Sequence, residues 1–329
     1  VVIHGLSLKL GRHGQIGEAS QYSGNNSTIL KNQGIPSRLP TTVFQGKMPA
    51  MPLSPQSTVQ HYENFPVASI LLPGRLRRPV GVIYAFARAA DDFADEGDLS
   101  DAERLALLDG FRKQLDIIAV QGTPETPLFR DVAEIVARHN LPLPPFYALL
   151  DAFSQDVTKK RYADFGELMD YCRRSANPVG ELLLHLYQAA TPKNLAYSNA
   201  VCSSLQLINF LQDIAIDLKE KNRIYLPQDE MARYGIRESA LANGMIFGRW
   251  NEFMLFQIER ARKLLHSGTP LGKILPGRIA LELRMIILGG ETILRKLHKN
   301  TDVFNERPVL RAGDWVYMAW HALRWKFRT

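Results

Sequence analysis

Val80-Gly-Val-Ile-Tyr84-Ala-Phe-Ala-Arg88-Ala-Ala-Asp91-Asp92-Phe-Ala-Asp95 reads as an apolar helix that turns acidic along one side. Val80, Ile83, Tyr84, Ala87 and Ala90 recur at the spacing of a buried helical face. Arg88, Asp91, Asp92 and Asp95 fall three or four residues apart and share another face. Carboxylates so crowded repel one another. The segment therefore predicts either a solvated helix end leading into the acidic loop Glu96 to Asp101, or a site that supplies a cation. Further along, Leu105, Leu108, Phe111, Leu115 and Ile118 repeat the helical period, and breaks fall where Gly, Pro and Asn cluster: Gln121 to Thr126, Leu141 to Pro145, Thr191 to Lys193, Pro227 to Asp229 and Ser267 to Pro276. No strand-and-turn rhythm and no fixed-period repeat is visible, so the expectation is all-α, with roughly ten helices in one bundle.

A second acidic stripe decides between the two readings. In Asn209-Phe-Leu-Gln-Asp213-Ile-Ala-Ile-Asp217, oxygen-bearing side chains stand at i, i+4 and i+8, flanked by core-like Leu205, Leu207, Ile208, Leu211 and Ile214. On one continuous helix they drift by only about 40° per step. Two such stripes facing each other are costly to bury without a cation, and Mg²⁺ prefers hard oxygen ligands shared with substrate phosphates. The pair predicts a metal and diphosphate clamp. Just beyond it, Lys219-Glu-Lys-Asn-Arg223-Ile-Tyr225-Leu-Pro227 places cations and a hydroxyl where they can meet diphosphate oxygens. An ordinary basic helix end explains the lysines equally well; Arg223 and Tyr225 are the stronger phosphate-binding choices.

At these residues the chain resembles the squalene and phytoene synthase family, whose members pair an Asp-x-x-x-Asp helix with an Asn-x-x-x-Asp-x-x-x-Asp helix. Both motifs are complete here, and the resemblance runs from about His61 through the C-terminal helices. It implies an all-α, single-domain isoprenoid synthase bundle with a central cavity over residues 58–329. It also implies Mg²⁺, in more than one copy, at Asp91, Asp95, Asn209, Asp213 and Asp217, diphosphate contacts at His61, Tyr84, Arg88 and Arg223, and Tyr171 near the ionising centre. Arg223 stands six residues after Asp217, where most relatives have five, so an extra residue shifts the loop. His61-Tyr-Glu-Asn-Phe65-Pro-Val-Ala-Ser69 and Tyr171-Cys-Arg-Arg-Ser-Ala-Asn177-Pro-Val-Gly180 look like signatures of the hydroxysqualene synthase branch found in hopanoid-producing bacteria. That branch implies conversion of presqualene diphosphate and water to hydroxysqualene and diphosphate. Its functional neighbours would be a presqualene diphosphate synthase upstream and a squalene-forming reductase downstream. The same motifs would also serve head-to-head condensation of farnesyl or geranylgeranyl diphosphate, or persist in a non-catalytic scaffold relative.

Loss of diphosphate creates a carbocation, so the hydrocarbon should meet apolar and aromatic surface. Phe65, Phe86, Phe93, Phe153, Tyr187 and Phe210 are the lining expected. Capture by water needs a placed water. Pro178 within a helix would free the Arg174 carbonyl and bend the segment, so that carbonyl, Asn177 or the Tyr171 hydroxyl would orient it; a kink that only shapes packing is the plainer reading. No nicotinamide-binding glycine motif follows a strand, so NADPH is not expected.

The chain has 329 residues, 46% hydrophobic and 22% charged, with a formal net charge of +7. That charge suits an anionic partner, but no zinc-finger spacing, RNA-binding aromatic motif or basic arm points to nucleic acid. Residues 1–57 are rich in Gly, Ser, Asn, Gln and Pro without apolar period, which predicts a disordered leader. Met48 and Met51 just before the patterned region suggest that residues 1–47 are translated upstream sequence or a cloning remnant. Cys172 and Cys202, the two cysteines, form no CxxC pair, which fits a reducing cytoplasm. With no apolar run near the roughly 18 residues of a membrane span, the expectation is a cytoplasmic protein. The aromatic and basic stretch from Trp315 to Phe327 suits peripheral contact with the inner face of a bacterial membrane, or a packed terminal helix.

Overall fold

The computed structural model describes residues 71–244 and 248–325. The expectations for residues 1–57, for His61 and for Phe65 lie outside the described residues, as do those for Lys326 and Phe327. Helices α1 (Gly74–Asp95), α2 (Asp101–Ala119), α3 (Pro127–His139) and α4 (Pro144–Thr158) are followed by a strand, β1 (Arg161–Tyr162). Then come α5 (Phe165–Ser175), α6 (Asn177–Leu186), α7 (Pro192–Gln212), α8 (Ile214–Lys221) and a second strand, β2 (Ile224–Pro227). The chain closes with α9 (Gln228–Arg233), α10 (Glu238–Ala242), α11 (Trp250–Gly268), α12 (Leu271–Ile274), α13 (Gly277–Lys299) and α14 (Ala312–Arg324).

The breaks read from Gly, Pro and Asn are built as local chemistry requires. Ser100 opens α2 with a reciprocal cap: its hydroxyl accepts the Glu103 N–H at 3.3 Å, and the Glu103 carboxylate accepts the Ser100 N–H at 2.9 Å. Thr126 and Thr191 cap α3 and α7, each followed by a proline whose missing N–H would have had no helical partner. Asn140 ends α3 in the left-handed region, at φ 50°.

The apolar interior forms two clusters. One gathers α1 to α4 with α6, α12 and the start of α13; the other gathers α5, β1, β2 and α7 to α11 with α13 and α14. Helix α7 is flanked by glycines that let its neighbours come close. A Cβ on Gly180 of α6 would lie 2.3 Å from Ser198 Oγ, and one on Gly268 of α11 would lie 2.5 Å from Val201 Cγ2. Side chains then fix the contacts: Ser204 Oγ donates to the Ala261 carbonyl at 2.7 Å. Glu282, on α13, is buried, its Oε2 finds no donor among the described residues, and burial pushes its carboxyl up to about 8. No described helix is long and apolar enough to cross a membrane.

Three local expectations are corrected. The all-helical reading missed a parallel pair, Arg161 beside Ile224 and Tyr162 beside Pro227, which is too short to display alternation and is buried along all of β2. The stripe from Asn209 to Asp217 is not on one continuous helix: Asp213, at φ −109° and ψ 13°, separates α7 from α8. The Asp213 N–H still reaches the Asn209 carbonyl at 2.9 Å, and the Asp217 N–H reaches that of Asp213 at 2.8 Å, so the three side chains keep nearly helical spacing. Pro178 does not kink a helix from within. It occupies the first turn of α6, after α5 has ended at Ser175, where a proline costs no hydrogen bond.

Candidate active site

Asp95, in the last turn of α1, is nearly buried and ion-paired from across the bundle. Lys221 at the end of α8 donates to its Oδ2, and Arg223 Nη2 donates to its Oδ1 at 2.6 Å. Burial opposes the charge of Asp95, but the bonds and charges of Arg223 and Lys221 outweigh it and hold the carboxyl well below the usual carboxylate range. Arg223 reaches this position through a tight turn: Asn222 takes the left-handed conformation at φ 49°, and the Arg223 N–H bonds the Asp217 carbonyl at 3.0 Å. The turn leaves Arg223 facing the acidic helix.

Arg223 is 3% exposed and also donates through Nη2 to the Asp156 carbonyl at 2.7 Å. Its Nε and Nη1 are buried without partners among the described residues. Two donors of a fixed cationic fork are thus free for an acceptor.

Asp156 itself is a residue that sequence reading passed over. It is 1% exposed, and it accepts from the Tyr171 hydroxyl at 2.6 Å and, weakly, from that of Tyr225 at 3.4 Å. Burial, against the pull of Arg223 and Tyr171, pushes its carboxyl up to about 6. Burial and Asp156 in turn push the Tyr171 hydroxyl well above its ordinary value. Above this polar end the rings pile together: Phe210 and Tyr225 stack 3.9 Å apart with planes 7° from parallel, and Tyr162 and Tyr171 lie within 5.8 Å of Tyr225. The β1–β2 pair makes this possible by setting Tyr162 beside the strand that carries Tyr225. The one sequence signal for Asp156 was an acid placed among Leu149, Phe153 and Val157 on the buried side of α4.

The second stripe has its own clasp. Asn209 Nδ2 donates to Asp213 Oδ2 at 2.7 Å, and Arg307, from the α13–α14 connection, donates to Asp213 Oδ1 at 2.5 Å. Gln212 donates at 2.5 Å to the Pro308 carbonyl in the same connection. Asp217 is pushed up to about 7, by burial first and then by Asp213, with Lys221 and Arg223 pulling the other way. On α1, burial pushes Asp92 up to about 6 despite Arg88, while Asp91 is 3% exposed.

The structure therefore brings Asp95, Arg223, Tyr225 and Tyr171 together, and links Asn209 with Asp213. It keeps others apart. Arg88 pairs with acids along α1 and at its end, at 3.7 Å to Asp91, 2.7 Å to Asp92 and 2.5 Å to Glu96, one turn from the half-buried Tyr84. Asn177 turns to α7, where its Oδ1 accepts from Ser203 Oγ at 2.8 Å. Of the expected lining rings, Phe210 joins the tyrosine stack, but Phe86 packs edge-on into Phe129 and Phe146 in the α1–α4 core. No three acidic, His or Cys side chains among the described residues form a ready-made metal cluster; cationic side chains hold parts of both stripes instead.

Residues 58–314 match the family model described as squalene/phytoene synthase. The hydroxysqualene synthase of Rhodopseudomonas palustris is 34% identical over 263 residues, covering 79% of this chain and 88% of its own. A phytoene synthase of Arthrospira platensis is 30% identical over 266 residues, 77% of this chain and 85% of its own. The crystal structure of squalene synthase HpnC from Alicyclobacillus acidocaldarius matches with a TM-score of 0.69 at 34% identity, over 74% of this chain and 91% of that one.

Proposed function

This chain belongs to the squalene and phytoene synthase family, and we propose that within it the protein converts presqualene diphosphate and water to hydroxysqualene and diphosphate with the help of Mg²⁺. The observation that carries the reading is the bonded path from Asp95 through Arg223 to Asp156 and Tyr171, which joins an acidic helix to a buried aromatic stack. The kinship with hydroxysqualene synthases, 34% identical, supports this reaction within the family.

The residues fit a divalent cation by their chemistry. All donors are hard oxygens, and Asp91 and Asn209 are buried with Asp95 and Asp213 nearly so, as ligands to a desolvated cation would be. Asp91 and Asp95 on one side, and Asn209, Asp213 and Asp217 on the other, would hold Mg²⁺, which when bound neutralises the diphosphate as it leaves. The unpartnered Nε and Nη1 of Arg223 are the donors for a diphosphate oxygen.

As the carbon–oxygen bond breaks, its electron pair leaves with diphosphate and a carbocation remains. The packed ring cluster of Phe210, Tyr225, Tyr171 and Tyr162 would border it and stabilise its charge. Water adds to the cation and forms the new carbon–oxygen bond. The proton it loses passes to Asp156, whose value near 6 suits an acceptor, with Tyr171 orienting the carboxylate.

The test is product analysis by gas chromatography and mass spectrometry, with Mg²⁺ and either presqualene diphosphate or farnesyl diphosphate. Hydroxysqualene from presqualene diphosphate alone is the expected result. A C30 or C40 polyene, or presqualene diphosphate itself, formed from prenyl diphosphates would move the protein to the condensing branch. No product from any substrate would leave a scaffold role.

A further inference from the structure

We propose that the outward face of α14, with the adjoining α12 turn, docks on an anionic lipid bilayer. Met318 and Ala322 anchor α14 in the core, and it runs back along α13 through Lys296 to Asp314, Arg295 to Tyr317 and Arg284 to the Ala322 carbonyl. The opposite side stays open. Val316 is 72% exposed, Trp320 53% and Leu323 71%, and helical geometry sets the three on one stripe.

Cations frame that stripe. Arg324 lies over the Trp320 ring at 3.7 Å and Arg295 over Tyr317 at 4.6 Å. Arg284, bonded to the Gly272 carbonyl at 2.6 Å as well as to the Ala322 carbonyl, ties α12 to this helix, and Lys273, Ile274 and Arg278 in and after α12 are exposed. None of the residues from Lys273 to Arg278, or from Val316 to Arg324, is acidic.

An aliphatic stripe edged by aromatic rings and guanidinium groups matches the layered polarity of a membrane interface, with apolar side chains among acyl chains and cations at phosphate depth. The absence of acids selects an anionic surface, since each cation near such a surface adds attraction. This inference is independent of the reaction catalysed.

The test is sedimentation of the full chain with phosphatidylcholine vesicles, with and without about 30 mol % phosphatidylglycerol. Binding to the anionic vesicles, weakened by salt near 0.5 M, is expected. The double variant Trp320→Glu, Leu323→Glu should bind at least roughly tenfold more weakly. Val120→Glu, at a residue 79% exposed beyond the end of α2, should bind as wild type. Circular dichroism melts verify that both variants fold. Equal binding by wild type and the double variant, or no binding to anionic vesicles, overturns the proposal. So does a double variant that turns a dimer into a monomer by light scattering with vesicle binding unchanged, because the face would then belong to a second copy.

Discussion

Glu282→Gln should stabilise the protein in a pH-dependent way. The Glu282 carboxyl is 7% exposed, with Oε2 undonated among the described residues, and burial pushes it from 4.5 up to about 8. Between those values the folded chain keeps a proton that the unfolded chain has lost, so stability falls as pH rises from about 4.5 to about 8 and is flat above. At about 1.4 kcal/mol for each tenfold change in proton affinity, the loss is under about 1 kcal/mol at pH 5 and roughly 3 to 5 kcal/mol above pH 8. Glutamine carries no such loss. Urea unfolding followed by circular dichroism, at about pH 5 and about pH 8.5, should show a variant advantage that grows by several kcal/mol between the two. An advantage that does not change with pH would refute the reasoning and mean that Glu282 finds a partner when charged.

Asp91→Asn and Asp213→Asn should each lower turnover at least about 100-fold with the helical signal intact; wild-type turnover would remove these positions from the site. Arg223→Met leaves Asp95 with Lys221 alone and takes a donor from the Asp156 carbonyl. A cost of about 3 kcal/mol in chemical denaturation is expected, and an unchanged midpoint would show that the pair carries no stability. Gly268→Ala puts a Cβ 2.5 Å from Val201 Cγ2 and 2.6 Å from the Tyr197 carbonyl. Forcing α11 off α7 should cost about 1 to 3 kcal/mol, whereas Gly313→Ala, with nothing within 4 Å, should melt as wild type.

The helices and the two acidic motifs were legible because their signals are periodic. Asp91 and Asp95, or Asn209 and Asp213, announce a shared face by spacing alone, and Thr126-Pro127 and Thr191-Pro192 announce helix starts. Asp156 announced nothing: a single acid on α4 gains meaning only when β1 and β2 bring Tyr225 and Arg223 to it. Those strands were invisible because two to four residues are too few for alternation to register. The interruption at Asp213 was hidden for a different reason. It answers to Arg307 and Pro308, which lie far off in the sequence, and local propensity holds no record of so distant a partner.

That distance has a meaning in time as well as in space. A chain is made from its N-terminus, and its parts pair in the order in which they emerge. Asp95 leaves the ribosome with Lys221 and Arg223 still unmade, and Asp213 waits in its turn until Arg307 has followed it out. A nascent chain halted between Asp217 and Arg307 would contain every acidic motif and still lack the clasp on the second one. The α13–α14 connection thus acts as a seal: the second stripe is clasped only once Arg307 has been made, and shorter products would carry the motifs without their full set of partners.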